Sequence, residues 1–284
     1  MLRSAWLLAV GAILTVWYAS KVYLLSYFGT KDALSRACAP SARGWARAIL
    51  RLAGVRVRVE GVENLDLDGA MIIVSNHESW FDVWALAGWL PIEARFLAKK
   101  ELSRIPVFGR AWRVCGHISI DRGDLESAIE SLTRAGQQIR DEGLHMVLFA
   151  EGTRSANGEL QPFKKGPFVL AIQGGVPIVP VAIIGTRPLM PKGSFRIGRG
   201  EILVRVGEPI DVTGMEYADR DRLTQMARDA VVELRGGEGR TSSLPGEEPV
   251  EAVLESPGSS PDRDAGQEGL RPLDEERIER VSDH

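Results

Sequence analysis

Along the chain the spacing of apolar and polar residues switches between two periods. Val55–Glu60 reads VRVRVE and alternates one in two, as a half-buried strand does. Met71–Ser75 is almost wholly apolar, the pattern of a strand covered on both faces. Residues 79–90 change to helical spacing, and 95–98 and 117–120 are further strand candidates. Residues 123–142 set Leu125, Ile129, Leu132 and Ile139 on one helix face. Residues 146–150 repeat the buried-strand pattern, and 163–174 read as a helix closed by Gly174-Gly175. Residues 176–184 and 202–206 are late strands, and Arg220–Leu234 is a closing helix. Strands alternating with helices predict an α/β fold, a mostly parallel sheet flanked by helices.

The first fifty residues follow neither period of the sheet. Residues 4–20 carry no charge, and after Lys21 the apolar run resumes through 22–28. That length is near the lower limit for crossing a bilayer as a helix. Trp6, Trp17, Tyr18, Tyr23 and Tyr27 suit the headgroup level at its ends. A cleaved signal peptide fits less well, because no small-residue site precedes a polar start. In residues 41–53, Arg43, Arg47 and Arg51 recur every fourth position while Trp45, Ala48, Ile49 and Leu52 fill another face. This basic amphipathic helix either packs on the domain with a solvated charged side or meets anionic headgroups. Residues 1–54 are therefore expected to be a membrane-associated helical segment. If it spans, Lys21, Lys31, Arg36, Arg43, Arg47 and Arg51 against Arg3 put the remainder on the cytoplasmic face of the cell membrane.

Charge changes the picture at the other end. The 284 residues carry a net charge of −3, but residues 236–284 alone hold 13 Asp and Glu against 5 Arg. They contain no Phe, Trp or Tyr and are rich in Gly and Pro, which predicts a disordered acidic tail. What remains is mildly basic, with no whole-chain case for nucleic acid. Two cysteines, Cys38 and Cys115, cannot make a disulfide framework and lack CxxC spacing. The four histidines form no HxxxH or HExxH pair, so no metal site is expected.

Two polar clusters directly follow apolar runs, where an open α/β sheet places its chemistry. Met71–Ser75 runs into Asn76-His77-Glu78-Ser79-Trp80-Phe81-Asp82, and residues 146–150 run into Glu151-Gly152-Thr153-Arg154-Ser155. Five helical residues rotate by about 500°, so His77 and Asp82 meet only if His77 lies at or before the first turn. Ser75 and Asn76 are capping-type residues that suit such a start. Asp82 would then fix the imidazole tautomer and leave the other nitrogen to remove a proton. In the second cluster Gly152 lets backbone N–H groups approach, Thr153 adds a hydroxyl and Arg154 a forked cation, which together form an anion cradle. Glu151 would repel an anion unless it pairs with a basic side chain or a substrate hydroxyl. Arg122 can add a second cation.

These residues carry a resemblance. NHESWFD at 76–82 resembles the NHxSxxD block of the glycerolipid acyltransferases, most closely their bacterial 1-acylglycerol-3-phosphate branch. Lys99-Lys100-Glu101-Leu102 with Ile105-Pro106-Val107-Phe108-Gly109 resembles the second block, and Ile120-Asp121-Arg122 follows in place. FAEGTRS at 149–155 is similar to the FPEGTRS block, and residues 176–181 to the fourth. The likeness covers roughly residues 55–210, with the blocks in order. Ala150 stands where the family usually has Pro, which leaves the start of the loop without a fixed φ and bears on acceptor specificity.

The resemblance implies an acyltransferase domain over 55–235 that moves a fatty acyl group from acyl-CoA or acyl carrier protein to the sn-2 hydroxyl of lysophosphatidic acid. It implies His77 as base with Asp82 orienting it. Gly152, Thr153 and Arg154 would hold the acceptor phosphate, and Glu151 would help arrange the loop or bind a substrate hydroxyl, with Arg122 and Lys100 as further cations. No cofactor is implied, since the acyl thioester is a co-substrate. Membrane lipid is an expected partner. Other lysophospholipid acceptors, or noncatalytic binding of a lipid phosphate, are the alternatives.

Overall fold

Seven strands form one sheet in a computed structural model that describes residues 2–120 and 135–236. They are β1 (Val55–Glu60), β2 (Met71–Ser75), β3 (Ala94–Lys99), β4 (Ile118–Ile120), β5 (His145–Phe149), β6 (Ile178–Ile184) and β7 (Gly200–Val206). Their order is β1-β7-β6-β2-β5-β3-β4, and every pair is parallel except β6 with β7. Arg122, most of the expected 123–142 helix and the acidic tail from residue 237 lie outside the described residues.

Alternation along the strands decides which helix covers which face. Met71 and Ile73 of β2, with Val179, Val181 and Ile183 of β6, pack beneath α2 (Lys31–Leu52) and α3 (Trp80–Trp89). Ile72 and Val74, with Ile178 and Ala182, face α5 (Gly166–Gly174) and α6 (Arg220–Leu234). This two-sided cover explains why β2 reads as a continuous apolar run. β2 feeds α3 on one face, while the neighbouring β5 leads to α5 on the other. Adjacent strands whose connections part in this way open a crevice at their carboxyl ends.

The N-terminal segment forms one helix, α1 (Leu2–Phe28), followed by α2, which runs back through Pro40 to an N-cap at Thr30. Both ends of α1 are tied to the α/β body. The Arg3 guanidinium donates to the carbonyls of Ile197 (2.7 Å) and Ala53 (2.6 Å), and Ser4 Oγ accepts from the Ile197 N–H. At the other end Arg110 Nε donates to Ser26 Oγ, and its guanidinium lies 3.8 Å from the Tyr27 ring centroid. Between them Trp45 Nε1 donates to Thr15 Oγ1. The outward face leaves Trp6, Ile13, Val16, Trp17, Leu24 and Phe28 exposed.

Of the arginines that recur every fourth residue in α2, Arg43 and Arg47 are used inside the fold. Arg43 donates to the carbonyls of Leu90 and Ile92, and Arg47 donates to that of Gly88 and lies over Trp89. They cap the C-terminal end of α3, where carbonyls lack helical partners. Arg51 is exposed.

α4 (Phe108–Val114) has no counterpart in the apolar periodicity. It begins after a γ-turn at Val107 (φ 64°, ψ −58°), closed by the Phe108 N–H to the Pro106 carbonyl. Gly109 is dictated by contact, since a Cβ there would lie 2.2 Å from the Ser103 carbonyl oxygen. The two cysteines, too few for a framework, nevertheless form one bridge, Cys38–Cys115, which joins α2 to the C-cap of α4. Ala19 and Val22 of α1 pack on it.

Candidate active site

The register of β2 on β5 brings the two polar clusters together. Ser75 pairs with Phe149, so the residues that follow leave the sheet side by side. The Ala150 N–H donates to the Ser75 carbonyl, and the Ser155 N–H to that of His77 at 2.7 Å. Ala150 therefore has a hydrogen bond that proline could not make, and the start of the loop is held by the ladder instead of by a ring.

Helix α3 begins only at Trp80, so His77 precedes it, on the short connection between β2 and the helix. The N-cap is Ser79, not Ser75 or Asn76. Asn76 instead completes the strand edge, exchanging two 2.8 Å hydrogen bonds with the backbone of Ile183. Ser79 and Asp82 form a capping box, and Ser79 Oγ also donates to the Met190 carbonyl. Because the turn is not helical, Asp82 Oδ2 lies 2.7 Å from His77 Nδ1. The same oxygen accepts the backbone N–H groups of Glu78 (2.7 Å) and Ser79 (2.8 Å). Asp82 is fully buried, while the His77 side chain keeps 14% of its surface exposed. Phe149 stacks on the imidazole with ring centroids 3.9 Å apart. His77 Nε2 makes no hydrogen bond among the described residues.

The other described histidines are occupied elsewhere. His117 Nδ1 accepts from the Phe96 N–H and its ring stacks on Trp112; burial, helped by Arg95, lowers its pKa to about 3. His145 Nε2 lies 3.0 Å from the Gly69 carbonyl.

Glu151 turns inward, away from the surface of the loop. It is only 2% exposed. Oε1 accepts the His77 N–H at 2.6 Å and Oε2 the Gln161 N–H at 2.9 Å, so one carboxylate brackets both loops. Its pairing is with backbone, neither with a basic side chain nor with a hydroxyl. Burial pushes its pKa up to about 7, although the two N–H donors and Arg235 oppose the shift.

Gly152 adopts φ 72°, the left-handed region that glycine tolerates. Thr153 is exposed, and the Arg154 guanidinium lies 5.2 Å from the Trp80 ring centroid, beside the His77 turn. Lys192 joins them unannounced by any motif. Its Nζ donates to the Arg154 carbonyl (2.8 Å) and to Thr153 Oγ1 (3.3 Å). Lys100 follows β3 at the start of a short 3-10 turn, one strand beyond β5.

Comparison with known proteins shows what the chain is similar to. The Acyltransferase family profile matches residues 56–184. A 1-acyl-sn-glycerol-3-phosphate acyltransferase of Limnanthes alba is 34% identical over 184 residues, 65% of each chain. The chain thus spans just under two thirds of that relative's length. A protein of the same name from Cocos nucifera is 31% identical over 209 residues, 69% of this chain and 67% of the relative. The crystal structure of the 1-acyl-sn-glycerophosphate (LPA) acyltransferase PlsC from Thermotoga maritima superposes with a TM-score of 0.70 at 27% identity. The superposition covers 85% of this chain and 97% of that one. With the paired His77 and Asp82 and the adjoining EGTR loop in the matched segment, the chain belongs to the 1-acyl-sn-glycerol-3-phosphate acyltransferase family.

Proposed function

We propose that this protein transfers a fatty acyl group from a thioester of coenzyme A or acyl carrier protein to the sn-2 hydroxyl of lysophosphatidic acid, forming phosphatidic acid for phospholipid biosynthesis. The observation that carries the reading is the 2.7 Å His77–Asp82 contact at one sheet edge with the Arg154 loop. Asp82 accepts the Nδ1 proton, which leaves Nε2 as the base. Nε2 takes the proton of the acceptor hydroxyl as its oxygen attacks the thioester carbonyl carbon. The tetrahedral intermediate collapses, the C–S bond breaks, and the leaving thiolate takes the proton back from the imidazolium. Thr153, Arg154 and Lys192 offer the acceptor phosphate a hydroxyl and two cations, and Gly152 brings backbone close to it.

An acceptor panel with both thioester donors tests this. Lysophosphatidic acid should be preferred over lysolipids whose phosphate is esterified. Arg154→Glu should raise the acceptor KM about 10–100-fold, the weight of a charged hydrogen bond or two, while the donor KM moves little. The reverse pattern would place the phosphate elsewhere.

The membrane reading rests on α1. A helix of this length and composition is apolar enough to cross a bilayer, but both its ends are bonded to the same body. That favours a helix lying in the plane of one leaflet, with its exposed Trp6, Trp17 and Phe28 in the acyl region. The cytoplasmic face of the cell membrane suits a thioester donor made in the cytosol. In that reducing compartment the Cys38–Cys115 pair would be held as thiols, leaving packing to join α2 to α4. Replacing Trp6, Trp17 and Phe28 together by Ser should cut vesicle partitioning by tenfold or more, since each buried side chain contributes about 1.5–3 kcal/mol. Turnover of a water-soluble short-chain acceptor should persist. Unchanged partitioning would mean that another surface docks.

A further inference from the structure

The last side chain of the closing helix reaches the candidate active site. Arg235 is the C-cap of α6 and lies well beyond the segment that the family profile matches. Its Nη2 donates to Glu78 Oε1 at 2.9 Å and to the Gly158 carbonyl at 2.8 Å. Glu78 sits between His77 and Ser79, and its own N–H holds Asp82. Gly158 belongs to the loop that starts at Glu151 and closes on Gln161. One guanidinium therefore ties the two clusters to each other from a third element. Side-chain exposure at this contact is 15% for Arg235 and 9% for Glu78.

We propose that Arg235 is a positioning residue for acyl transfer, holding the His77 turn against the 151–161 loop by binding Glu78 and Gly158 at once. The proposal rests on the acyltransferase reading above and adds a residue to it. The corner gathers three buried carboxylates, Glu78, Asp82 and Glu151. The cations facing Glu78 are Arg235 and Arg187; Arg187 also lies 3.2 Å from where a Cβ on Gly158 would be. Without Arg235, Glu78 is left with a charge that burial penalises. It then either takes a proton or turns to water. Turning to water drags the Glu78 and Ser79 N–H groups away from Asp82, and the imidazole loses its brace. Burial already raises the pKa of both Glu78 and Glu151, and Arg235 opposes this at each. Its removal should therefore move the acid limb of activity to higher pH. The titratable and charged groups that face one another at this corner are His77, Glu78, Asp82 and Glu151, with Arg187 and Arg235.

The test uses the full chain with lysophosphatidic acid and a long-chain acyl-CoA, comparing wild type with Arg235→Gln, Arg235→Lys, Glu78→Gln and the double variant E78Q/R235Q. Arg235→Gln should lower kcat about tenfold with the acceptor KM within about twofold, and should shift the acid limb upward. The double variant, which has no stranded charge, should return the limb to its wild-type place and recover most of kcat. Arg235→Lys keeps the charge, but its Nζ ends one bond short of where Nη2 sits and cannot hold Glu78 and Gly158 at once, so kcat should fall with the limb unmoved. A folded Arg235→Gln with wild-type kcat and pH profile overturns the proposal, as does a double variant no better than the single. If Arg235→Gln does not fold, Arg235→Lys decides, and a wild-type kcat there overturns it. A folded wild type that transfers no acyl group from either thioester donor would instead sink the underlying reading.

Discussion

Replacing His77 with alanine should lower kcat by about 10²–10⁴-fold, the usual weight of a positioned base, with little change in the acceptor KM. The size follows from what is lost. His77 is the described histidine whose second ring nitrogen faces away from protein partners while the first is fixed by a buried carboxylate. His117 cannot replace it, being half-buried and bonded behind β3. Asp82→Asn should cost a comparable factor for a different reason. The amide oxygen can still accept from Nδ1 and the two backbone N–H groups. It carries no charge to stabilise the imidazolium, and the amide nitrogen must take the place of Oδ1, which is buried without a hydrogen-bond partner. Acyl transfer to lysophosphatidic acid is measured directly, with binding followed separately. Full turnover in His77→Ala would remove the base from the mechanism.

The sequence reveals the parts of this site that are local and hides those that depend on topology. The apolar runs at 71–75 and 146–150 end in polar blocks, and that pattern alone puts both blocks at strand ends. That His77 must precede the helix also follows from the five-residue offset to Asp82. Lys192 and Arg235 carry no such signal. Arg235 meets Glu78 across 157 residues of chain, and only because α6 packs on the face opposite α3 does its end arrive at the crevice. α4 is too short for a periodic pattern, and its start depends on a positive φ at Val107, which no propensity foretells. The antiparallel pairing of β6 with β7 is likewise a matter of tertiary arrangement, since β6 is a continuous apolar run like the parallel β2 and β7 alternates like the parallel β1. Glu151 shows the same limit of a linear reading. In the linear sequence it neighbours an arginine turn, and nothing there says that its side chain points inward onto two backbone donors.

Glu151→Gln should reduce kcat by about 10–100-fold and should also change how stability depends on pH. Both carboxylate oxygens accept a backbone N–H, from His77 and from Gln161. Glutamine can accept only one; its NH₂ must face the other donor, leaving a buried N–H unpaired at about 1–3 kcal/mol. Either the His77 backbone or the loop after Arg154 then moves, and the base loses its alignment with the acceptor. The stability effect runs the other way with pH. Burial raises Glu151 from its ordinary 4.5 to about 7 in the folded protein. The folded state thus binds this proton more tightly than the unfolded chain, so stability falls as pH rises from about 4.5 to about 7 and stays low above it. The full cost of the ionised group is roughly 3 kcal/mol. Urea unfolding at pH 5 and pH 8 should therefore show wild type losing about that much relative to Glu151→Gln, in which the group cannot titrate. Glu78 titrates in both proteins and largely cancels in the comparison. Parallel stability profiles would mean that Glu151 is ionised without penalty, and a fully active Glu151→Gln would mean that the bracket between the two loops is dispensable. The ionised carboxylate that costs stability at neutral pH is the form that matches both N–H donors, so activity should climb through the same window in which the fold weakens.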